Sequence, residues 1–336
     1  MAKRIGKYTV ITENKPSVLG YASVAGKKES EGPLRDYFDI TETDTTFGEE
    51  TWEKAEAKLQ KLSSGLAIEK AGVSKENINY AFAGDLLNQC ISSSFGLRDL
   101  NIPFLGQYGA CSTMAQTIAM ASSFVEGEIA NMCLAVTSSH FCSAERQYRF
   151  PLEYGGQRTP TAQWTVTGSG ALVIGHHTEN KPYINAFTIG KIMDLGIKDA
   201  NNMGAAMAPA AADTLLNFLR DTETEVSDYD LIATGDLGFV GAELFCELLE
   251  KENIKFTHNY KDCGLLIFDR EKQDVHAGGS GCGCSASVLC SYILKRMEKR
   301  EYKNILFLAT GAMMSPTSTQ QGNPIPCIAN LINFKI

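Results

Sequence analysis

The sequence predicts an α/β protein made of two similar halves. Short apolar segments alternate with helix-like segments along the 336 residues, an order typical of buried, largely parallel strands joined by helices. Several short motifs recur at a constant spacing, which indicates that a strand–helix–strand unit was duplicated. We therefore expect two domains, residues 1–178 and residues 179–336, that face each other about a pseudo-twofold axis.

The first half opens with an amphipathic segment. Residues 49–71 carry their apolar side chains on one stripe with Lys and Glu opposite, which predicts a helix. Residues 80–83 predict a short buried strand, and a second helix is expected over residues 109–124. Further buried strands are expected at residues 132–136 and 171–174.

The second half repeats this order. A helix is expected over residues 209–219 and a strand over residues 230–233. The Gly- and Cys-containing residues 281–285 open an apolar helix that continues to residue 293, and residues 305–309 predict another strand. The pseudo-twofold arrangement should bring the N-termini of the two central helices close to the middle of the molecule.

The duplication can be followed through fixed offsets. Cys111 and Ser112 recur as Cys284 and Ser285, 173 positions later. The residues at positions 128, 131 and 137 are likewise identical to those 173 positions further along the chain. The turn at residues 84–86 recurs at residues 235–237, an offset of 151. The difference predicts an insertion of 22 residues in the second half, between positions 237 and 284.

Composition limits the possible functions. The formal net charge of −8 argues against sequence-independent nucleic-acid binding and weakly against direct contact with anionic lipid. Most of the ten cysteines stand singly and none forms a CxxC pair, so reduced thiols are expected. No metal-ligand spacing is visible, and no apolar run approaches the roughly 18 residues of a membrane span. We predict no metal, no cofactor and no nucleic-acid partner, and expect membrane association only through a partner protein.

Cys111 is the strongest chemical signal in the sequence. It stands at the start of a predicted buried helix, where unpaired N–H groups and the helix dipole favour a thiolate. The alternative is a small buried apolar residue. His140 follows a predicted strand, at the edge where parallel sheets bind ligands, although lone histidines more often belong to the core or the surface.

Residues 144–158 are dense in polar and aromatic side chains. Among them are Arg146, Arg149 and Tyr154, which can offer bidentate donors and a stacking face to a planar, anionic ligand. The alternative is a solvated loop at the edge of the sheet.

Two segments of the sequence resemble the thiolase-like superfamily, which includes the ketoacyl synthases. Cys111 matches the Cys that those enzymes acylate at the N-terminus of their central helix, and residues 167–171 are also similar. The resemblance implies a layered α-β-α-β-α fold with mixed sheets. It also implies two partners in the second half, a His and a His or Asn, whose positions fall near Asp236 and Cys282 and are not matched in kind. An acyl-transfer site without them should be crippled, so we expect no enzyme activity.

Over nearly its whole length the sequence also resembles the stage V sporulation protein AD family of spore-forming bacteria. This resemblance implies binding of dipicolinic acid, as the free acid or its calcium chelate, during uptake into the developing spore. It further implies synthesis in the cytoplasm and a peripheral position at the inner spore membrane, beside integral membrane proteins of the same operon. The strings that carry it are residues 83–89, 109–113, 137–140, 144–147, 153–157, 207–214, 262–264 and 325–329.

The expected site surrounds a flat ligand with two carboxylates. Two alternatives stay open, namely a residual acyl-transfer enzyme with Cys111 as nucleophile and His140 as base, and a purely structural subunit of a membrane complex. The superfamily's usual dimer also implies a possible homodimer, with the strand at residues 132–136 pairing across a twofold axis. The residues expected to bind the ligand are Cys111, Ser112, His140, Arg146, Arg149, Tyr154 and Asp236.

Overall fold

The computed structural model describes residues 2–148 and 158–336. Within these residues thirteen strands form one connected sheet system, and two more form a short ribbon. The strands are β1 (Lys3–Ile5), β2 (Thr9–Ile11), β3 (Ser17–Ala25), β4 (Ile40–Thr41), β5 (Tyr80–Gly84), β6 (Phe104–Gly106), β7 (Met132–Ser139), β8 (Trp164–Thr165), β9 (Gly168–Gly175), β10 (Tyr183–Ile189), β11 (Leu231–Thr234), β12 (Tyr260–Asp262), β13 (Gly279–Ser280), β14 (Asn304–Ala312) and β15 (Cys327–Lys335).

The two halves have the same strand order. In the first half the order is β6-β5-β7-β9-β3, and in the second it is β12-β11-β14-β15-β10. In each half the first three strands of this order run parallel and the last two are antiparallel to their neighbours. The halves touch through β3 and β10, which pair at Ser17 and Tyr183. The predicted mixed, duplicated α/β fold is therefore confirmed.

The helices complete five layers. Helix α2 (Trp52–Lys70) packs on β3, β7 and β9 at the outside of the first half, and α6 (Met203–Thr222) packs on β14 and β15 at the outside of the second. Between the halves, α4 (Thr113–Glu126) contacts β5 and β7 on one side and β14 and β15 on the other, and it lies against α9 (Cys282–Val288). The helices are α1 (Lys27–Ser30), α2 (Trp52–Lys70), α3 (Ile91–Leu97), α4 (Thr113–Glu126), α5 (Phe141–Tyr148), α6 (Met203–Thr222), α7 (Gly238–Lys251), α8 (Cys263–Leu266), α9 (Cys282–Val288), α10 (Leu294–Glu298) and α11 (Pro316–Gln320).

The strand pairing corrects the offset that the sequence identities indicate. Tyr80 pairs with Cys133 in the first half, and Leu231 pairs with Ile305 in the second. Tyr80 and Leu231 are 151 positions apart, as the sequence predicts, but Cys133 and Ile305 are 172 positions apart rather than 173. Backbone pairing fixes which positions are equivalent, whereas scattered identities among small residues can agree one position out of register.

Equivalent polar side chains precede β5 and β11. The Asn79 side-chain oxygen accepts hydrogen bonds from the backbone amides of Asn131 and Met132, at 2.8 and 3.1 Å. The Asp230 carboxylate accepts from the backbone amides of residues 303 and 304, at 2.7 and 2.9 Å. In both halves one side-chain oxygen therefore fixes the start of the neighbouring strand.

The strand expected to pair across a dimer axis lies inside the sheet. Residues 132–136 belong to β7, which is flanked by β5 and β9 along its length, so no edge is free there. The exposed edge of the first half is β6 instead. All three of its residues are exposed, including Phe104 and Leu105.

None of the helices among the described residues combines the length and the apolar content that a membrane span requires.

Candidate functional site

A pocket lies where the two halves meet, beside the turn that precedes α4. It is narrow, with about 40 Å³ of space for the centre of a water molecule. Its walls come from both halves: the turn before α4, helix α5, the β8–β13 ribbon, the start of α6 and the end of β14. The described residues that line it are Leu86, Tyr108, Ala110, Cys111, Ala144, Glu145, Tyr148, Thr165, Ala200, Met203, Ser280, Gly281, Ala312 and Met314.

Cys111 lies on the pocket wall, in a tight turn before α4. The helix begins at Thr113, so Cys111 stands two residues outside it rather than in its first turn. Ala110 adopts a positive φ of 49°, a conformation that non-glycine residues rarely take. Hydrogen bonds from the amides of Ser112 and Thr113 to the carbonyls of Gly109 and Ala110, at 3.0 and 3.2 Å, close the turn. The turn presents Cys111 to the pocket with 6% of its surface exposed.

The Cys111 thiol is held in its neutral form. Burial raises its pKa well above the ordinary value, and the nearby negative charge of Asp236 raises it further. The expectation that the helix N-terminus activates this thiol is therefore wrong. The helix begins two residues later, whereas burial and a negative charge act directly on the sulfur.

Asp236 is fully buried behind Cys111. Its two carboxylate oxygens accept hydrogen bonds from the Gly281 amide and the Thr310 hydroxyl, both at 2.9 Å. Burial raises the pKa of Asp236 to about 6, and the neighbouring Cys111, Gly281 and Thr310 oppose that rise. The predicted ligand-binding residue Asp236 therefore acts through Cys111 and does not itself line the pocket.

Two tyrosines form a flat part of the pocket wall. The Tyr148 hydroxyl donates to the Leu86 carbonyl at 2.6 Å, and the Tyr108 hydroxyl lies 3.0 Å from the Tyr148 hydroxyl. Because Tyr148 has a single hydroxyl proton, Tyr108 is the donor in that second bond. The chain of bonds fixes both rings. Neither tyrosine was predicted as a site residue, although Ala144 and Tyr148 stand four residues apart and so share a face of α5.

Ser112 supports the turn rather than the pocket. It is fully buried, its hydroxyl donates to the Gly109 carbonyl at 2.7 Å, and it accepts from the Asn330 amide at 3.2 Å. The hydroxyl is committed to these bonds, so the expectation that it contacts a ligand directly is corrected to a positioning role.

His140 lies apart from Cys111. Its Nδ1 accepts from the Cys142 amide at 3.2 Å, so its Nε2 carries the proton and donates to the Thr45 carbonyl at 2.8 Å. Burial lowers its pKa, so the ring is neutral near neutral pH. Both ring nitrogens are occupied and the ring does not line the pocket. The predicted grouping of His140 with Cys111 is corrected accordingly.

Arg146 points away from the pocket. Ala144 and Tyr148 face the pocket from α5, and Arg146 lies two residues from each, which places it on the opposite side of the helix. It forms an ion pair with Glu53, and its guanidinium lies 5.2 Å from the Trp52 ring centre. It lines a separate surface groove with Asn88 and Gln147 among others. Arg149 and Tyr154 lie outside the described residues. Within the described residues, no group of three or more His, Cys, Asp or Glu side chains is arranged to hold a metal.

The comparisons with known proteins agree on one family. The family model described as "Stage V sporulation protein AD (SpoVAD)" matches residues 6–335. Stage V sporulation protein AD of Bacillus subtilis (strain 168) is 44% identical over 333 residues, which cover 99% of this chain and 98% of the relative.

Solved structures share the fold at low identity. The 3-oxoacyl-[acyl-carrier-protein] synthase III of Aquifex aeolicus VF5 aligns with a TM-score of 0.59 and 11% identity, covering 96% of this chain and 100% of the enzyme. Cerulenin-bound OleA of Xanthomonas campestris aligns with a TM-score of 0.62 and 14% identity, covering 96% and 97%. These likenesses establish the thiolase-like fold and nothing further about chemistry.

Proposed function

Because this chain belongs to the stage V sporulation protein AD family, we propose that it is a non-catalytic protein that binds dipicolinic acid. It would serve uptake of that acid into the developing spore, after synthesis in the cytoplasm. Its place would be peripheral, at the inner spore membrane, beside integral membrane proteins of the same operon.

The shape of the pocket beside Cys111 supports this proposal. Dipicolinic acid is a flat pyridine ring, and the pocket combines the fixed rings of Tyr108 and Tyr148 with small side chains such as Ala110, Ala144 and Ala200. Flat rings and small side chains favour a planar ligand, since aromatic faces stack in an offset or edge-on manner. Of the described residues that the sequence predicts to bind the ligand, Cys111 is the one that lines the pocket. Arg149 and Tyr154 remain proposed ligand contacts on the basis of the sequence alone.

The contact between Cys111 and Asp236 carries the non-catalytic part of the proposal. An acyl-transfer nucleophile needs a base that takes its proton or an environment that lowers its pKa. Here burial and the negative charge of the nearby Asp236 carboxylate keep the proton on sulfur. The neutral thiol can line a binding pocket but is a poor nucleophile.

Calorimetric titration of the full chain with dipicolinate, with and without calcium, tests the proposal. Saturable heat with either form supports binding and separates the free acid from the calcium chelate. Absence of heat with both forms would leave the structural-subunit alternative. A stable acyl adduct on Cys111 after incubation with acyl-CoA, detected by mass spectrometry of the intact protein, would instead support residual acyl transfer.

The exposed edge of β6 supports a homodimer as part of this assembly. An open strand edge with exposed apolar residues invites pairing with another chain. Phe104 and Leu105 are 40% and 42% exposed, and Tyr108, two residues beyond the strand, both lines the pocket and is 37% exposed. Pairing of two β6 strands would therefore place the interface next to the proposed ligand site.

A further inference from the structure

The first strand pair of the chain is basic. Lys3, Arg4 and Lys7 lie in or beside β1 and are all exposed, and the first acidic residue of the sequence is Glu13. This concentration of positive charge stands out in a chain with a formal net charge of −8. The pair β1–β2 forms a hairpin on the side of β10.

The tip of this hairpin is held in a fixed shape. Gly6 adopts a positive φ of 53°, and a Cβ at this position would collide with the Asp221 side chain. The Asp221 carboxylate accepts hydrogen bonds from the backbone amides of Lys7, Tyr8 and Thr9, at 3.0, 2.8 and 3.0 Å. The hairpin is thus anchored to the end of α6, with Lys7 at its tip and Lys3 and Arg4 exposed along β1.

Exposed apolar residues lie beside that tip. Thr9 pairs with Thr188, which brings the hairpin turn next to the end of β10 and the loop that follows it. Ile189, the last residue of β10, is 43% exposed, and Ile192 in the loop is 65% exposed. The Lys191 amino group lies 5.6 Å from the Tyr8 ring centre, and that of Lys7 lies 5.0 Å from it. Tyr8 therefore lies between the two cations, at the edge of the sheet where β10 ends.

The charge of this surface is locally positive. Lys191 pairs with Asp213 at 2.9 Å, and the exposed Arg220 is close enough to act on Lys191 electrostatically. Two carboxylates, Asp213 and Asp221, lie against it, and Asp221 faces the backbone of the hairpin. The cations of the surface are Lys3, Arg4, Lys7 and Lys191, and Arg220 lies beside it.

We propose that this surface, called here the basic patch (Lys3, Arg4, Lys7, Tyr8, Ile189, Lys191 and Ile192), binds an anionic lipid membrane. Clustered Lys and Arg attract a negatively charged bilayer, an aromatic ring with a polar end suits the interface, and aliphatic tips can enter the headgroup region. Electrostatic attraction acts over a Debye length of about 10 Å at 0.1 M salt. The charge of the patch therefore determines the attraction to the bilayer, and the net charge of the whole chain does not.

One loop connects the patch with a wall of the pocket. The loop that carries Ile192 runs on to Ala200 and Met203, which line the pocket beside Cys111. The membrane proposal stands on the patch alone and does not depend on what the pocket binds.

Vesicle co-sedimentation of the full chain tests the proposal. Wild type should bind vesicles that contain phosphatidylglycerol, bind phosphatidylcholine vesicles far less, and dissociate as salt is raised. The triple variant Lys3→Gln, Arg4→Gln, Lys7→Gln should bind about a hundredfold more weakly, since each Lys or Arg near the surface contributes roughly fivefold. Ile192→Ser keeps the charges and should weaken binding by several-fold because an apolar tip is lost.

A matched control has the same change in net charge elsewhere. Lys54, Lys61 and Lys75 are exposed on the first half, away from the patch, and their triple substitution by Gln should leave vesicle binding close to wild type. Equal loss in both triple variants, no preference for phosphatidylglycerol, or no salt dependence would overturn the proposal. Dipicolinate titration of the same variants should give wild-type heats, which keeps this test separate from that of ligand binding.

Discussion

The buried carboxylate of Asp236 lies close enough to the thiol of Cys111 to raise the pKa of that thiol. The two residues come from different halves and meet where those halves join, one at the wall of the pocket and the other directly behind it. The carboxylate raises the pKa of the thiol, whereas a catalytic nucleophile needs the opposite shift. This contact is the basis of the first prediction.

We expect Asp236→Asn to make Cys111 more reactive. The substitution removes the negative charge beside the sulfur while keeping the shape of the side chain, so the pKa of the thiol should fall and the thiolate fraction should rise. Alkylation by iodoacetamide, followed by mass spectrometry of the Cys111 peptide, should be about tenfold faster than in wild type near pH 8.

Asp262→Asn is the matched control for that experiment. Asp262 is also a buried carboxyl, and burial raises its pKa to about 7, but it accepts from Thr234 and from backbone amides rather than from Cys111. Its substitution should leave the alkylation rate near wild type. Equal rates in wild type and Asp236→Asn would mean that Asp236 does not control the thiol.

Filling the pocket should block the ligand. Ala200 lines the pocket and is only partly buried, so Ala200→Leu should occupy space without disturbing the core. We expect dipicolinate affinity to fall by about ten- to a hundredfold, the range given by overpacking of 1–3 kcal/mol. Ala205→Leu, five residues further on in a different groove, should bind as wild type does. Unchanged dipicolinate affinity in the Ala200→Leu variant would show that the ligand does not bind in this pocket.

The two arginines of the polar segment should behave differently. The Arg146 guanidinium is paired with Glu53 and faces away from the pocket, so Arg146→Ala should change the dipicolinate affinity little. Arg149→Ala should weaken binding by about 1.5–3 kcal/mol if the side chain gives a charge-assisted contact to a carboxylate. Calorimetry of both variants distinguishes these outcomes, and a large loss in Arg146→Ala alone would reverse the assignment.

Stability should fall as the pH rises towards neutrality, partly because of Glu29. Burial raises the pKa of this fully buried carboxyl to about 7, and among the described residues one of its oxygens has no hydrogen-bond partner. Because the folded pKa lies above the unfolded one, the stabilisation is complete below about pH 4 and is lost as the pH rises through about 7. The loss should be on the order of 1–3 kcal/mol.

Urea denaturation between about pH 5 and pH 8 measures this effect. Glu29→Gln should show a flatter dependence of the free energy of unfolding on pH, since the group no longer ionises. Glu31→Gln changes an exposed residue of the same segment and should keep the wild-type slope. Identical slopes in wild type and Glu29→Gln would refute the assignment.

A charge on the edge of β6 should weaken any dimer. Leu105 is 42% exposed on that edge, and Leu105→Lys places a cation where a second β6 strand would approach. Sedimentation equilibrium should show the variant as a monomer at concentrations where wild type is a dimer. Ile129→Lys is the control, because Ile129 is 57% exposed on the turn between α4 and β7. A monomeric wild type would rule out the β6 dimer.

The sequence was informative about the fold because buried strands leave a strong pattern. Each predicted strand lies within an observed one or differs from it by a residue or so, since runs of buried apolar residues depend little on long-range packing. Helix starts were harder. Helix α6 begins at Met203, capped by the Asn202 side chain, whereas the prediction began at Pro209, because a proline is a stronger local signal for a helix start than an asparagine.

The site was only partly predictable. Cys111 and Asp236 were identified, because a Cys after Gly-Ala and a Gly-Asp turn after a strand are visible locally. The orientation of α5 was not, since nothing in residues 141–148 tells which side meets the other half. That orientation excludes Arg146 from the pocket and brings in Tyr148.

The paired roles of Asn79 and Asp230 have a consequence for how such a molecule changes over evolutionary time. An amide oxygen performs in one half what a carboxylate oxygen performs in the other. A substitution between amide and carboxylate at such a position would keep the hydrogen bond, so the two halves can share this feature without sharing the residue type.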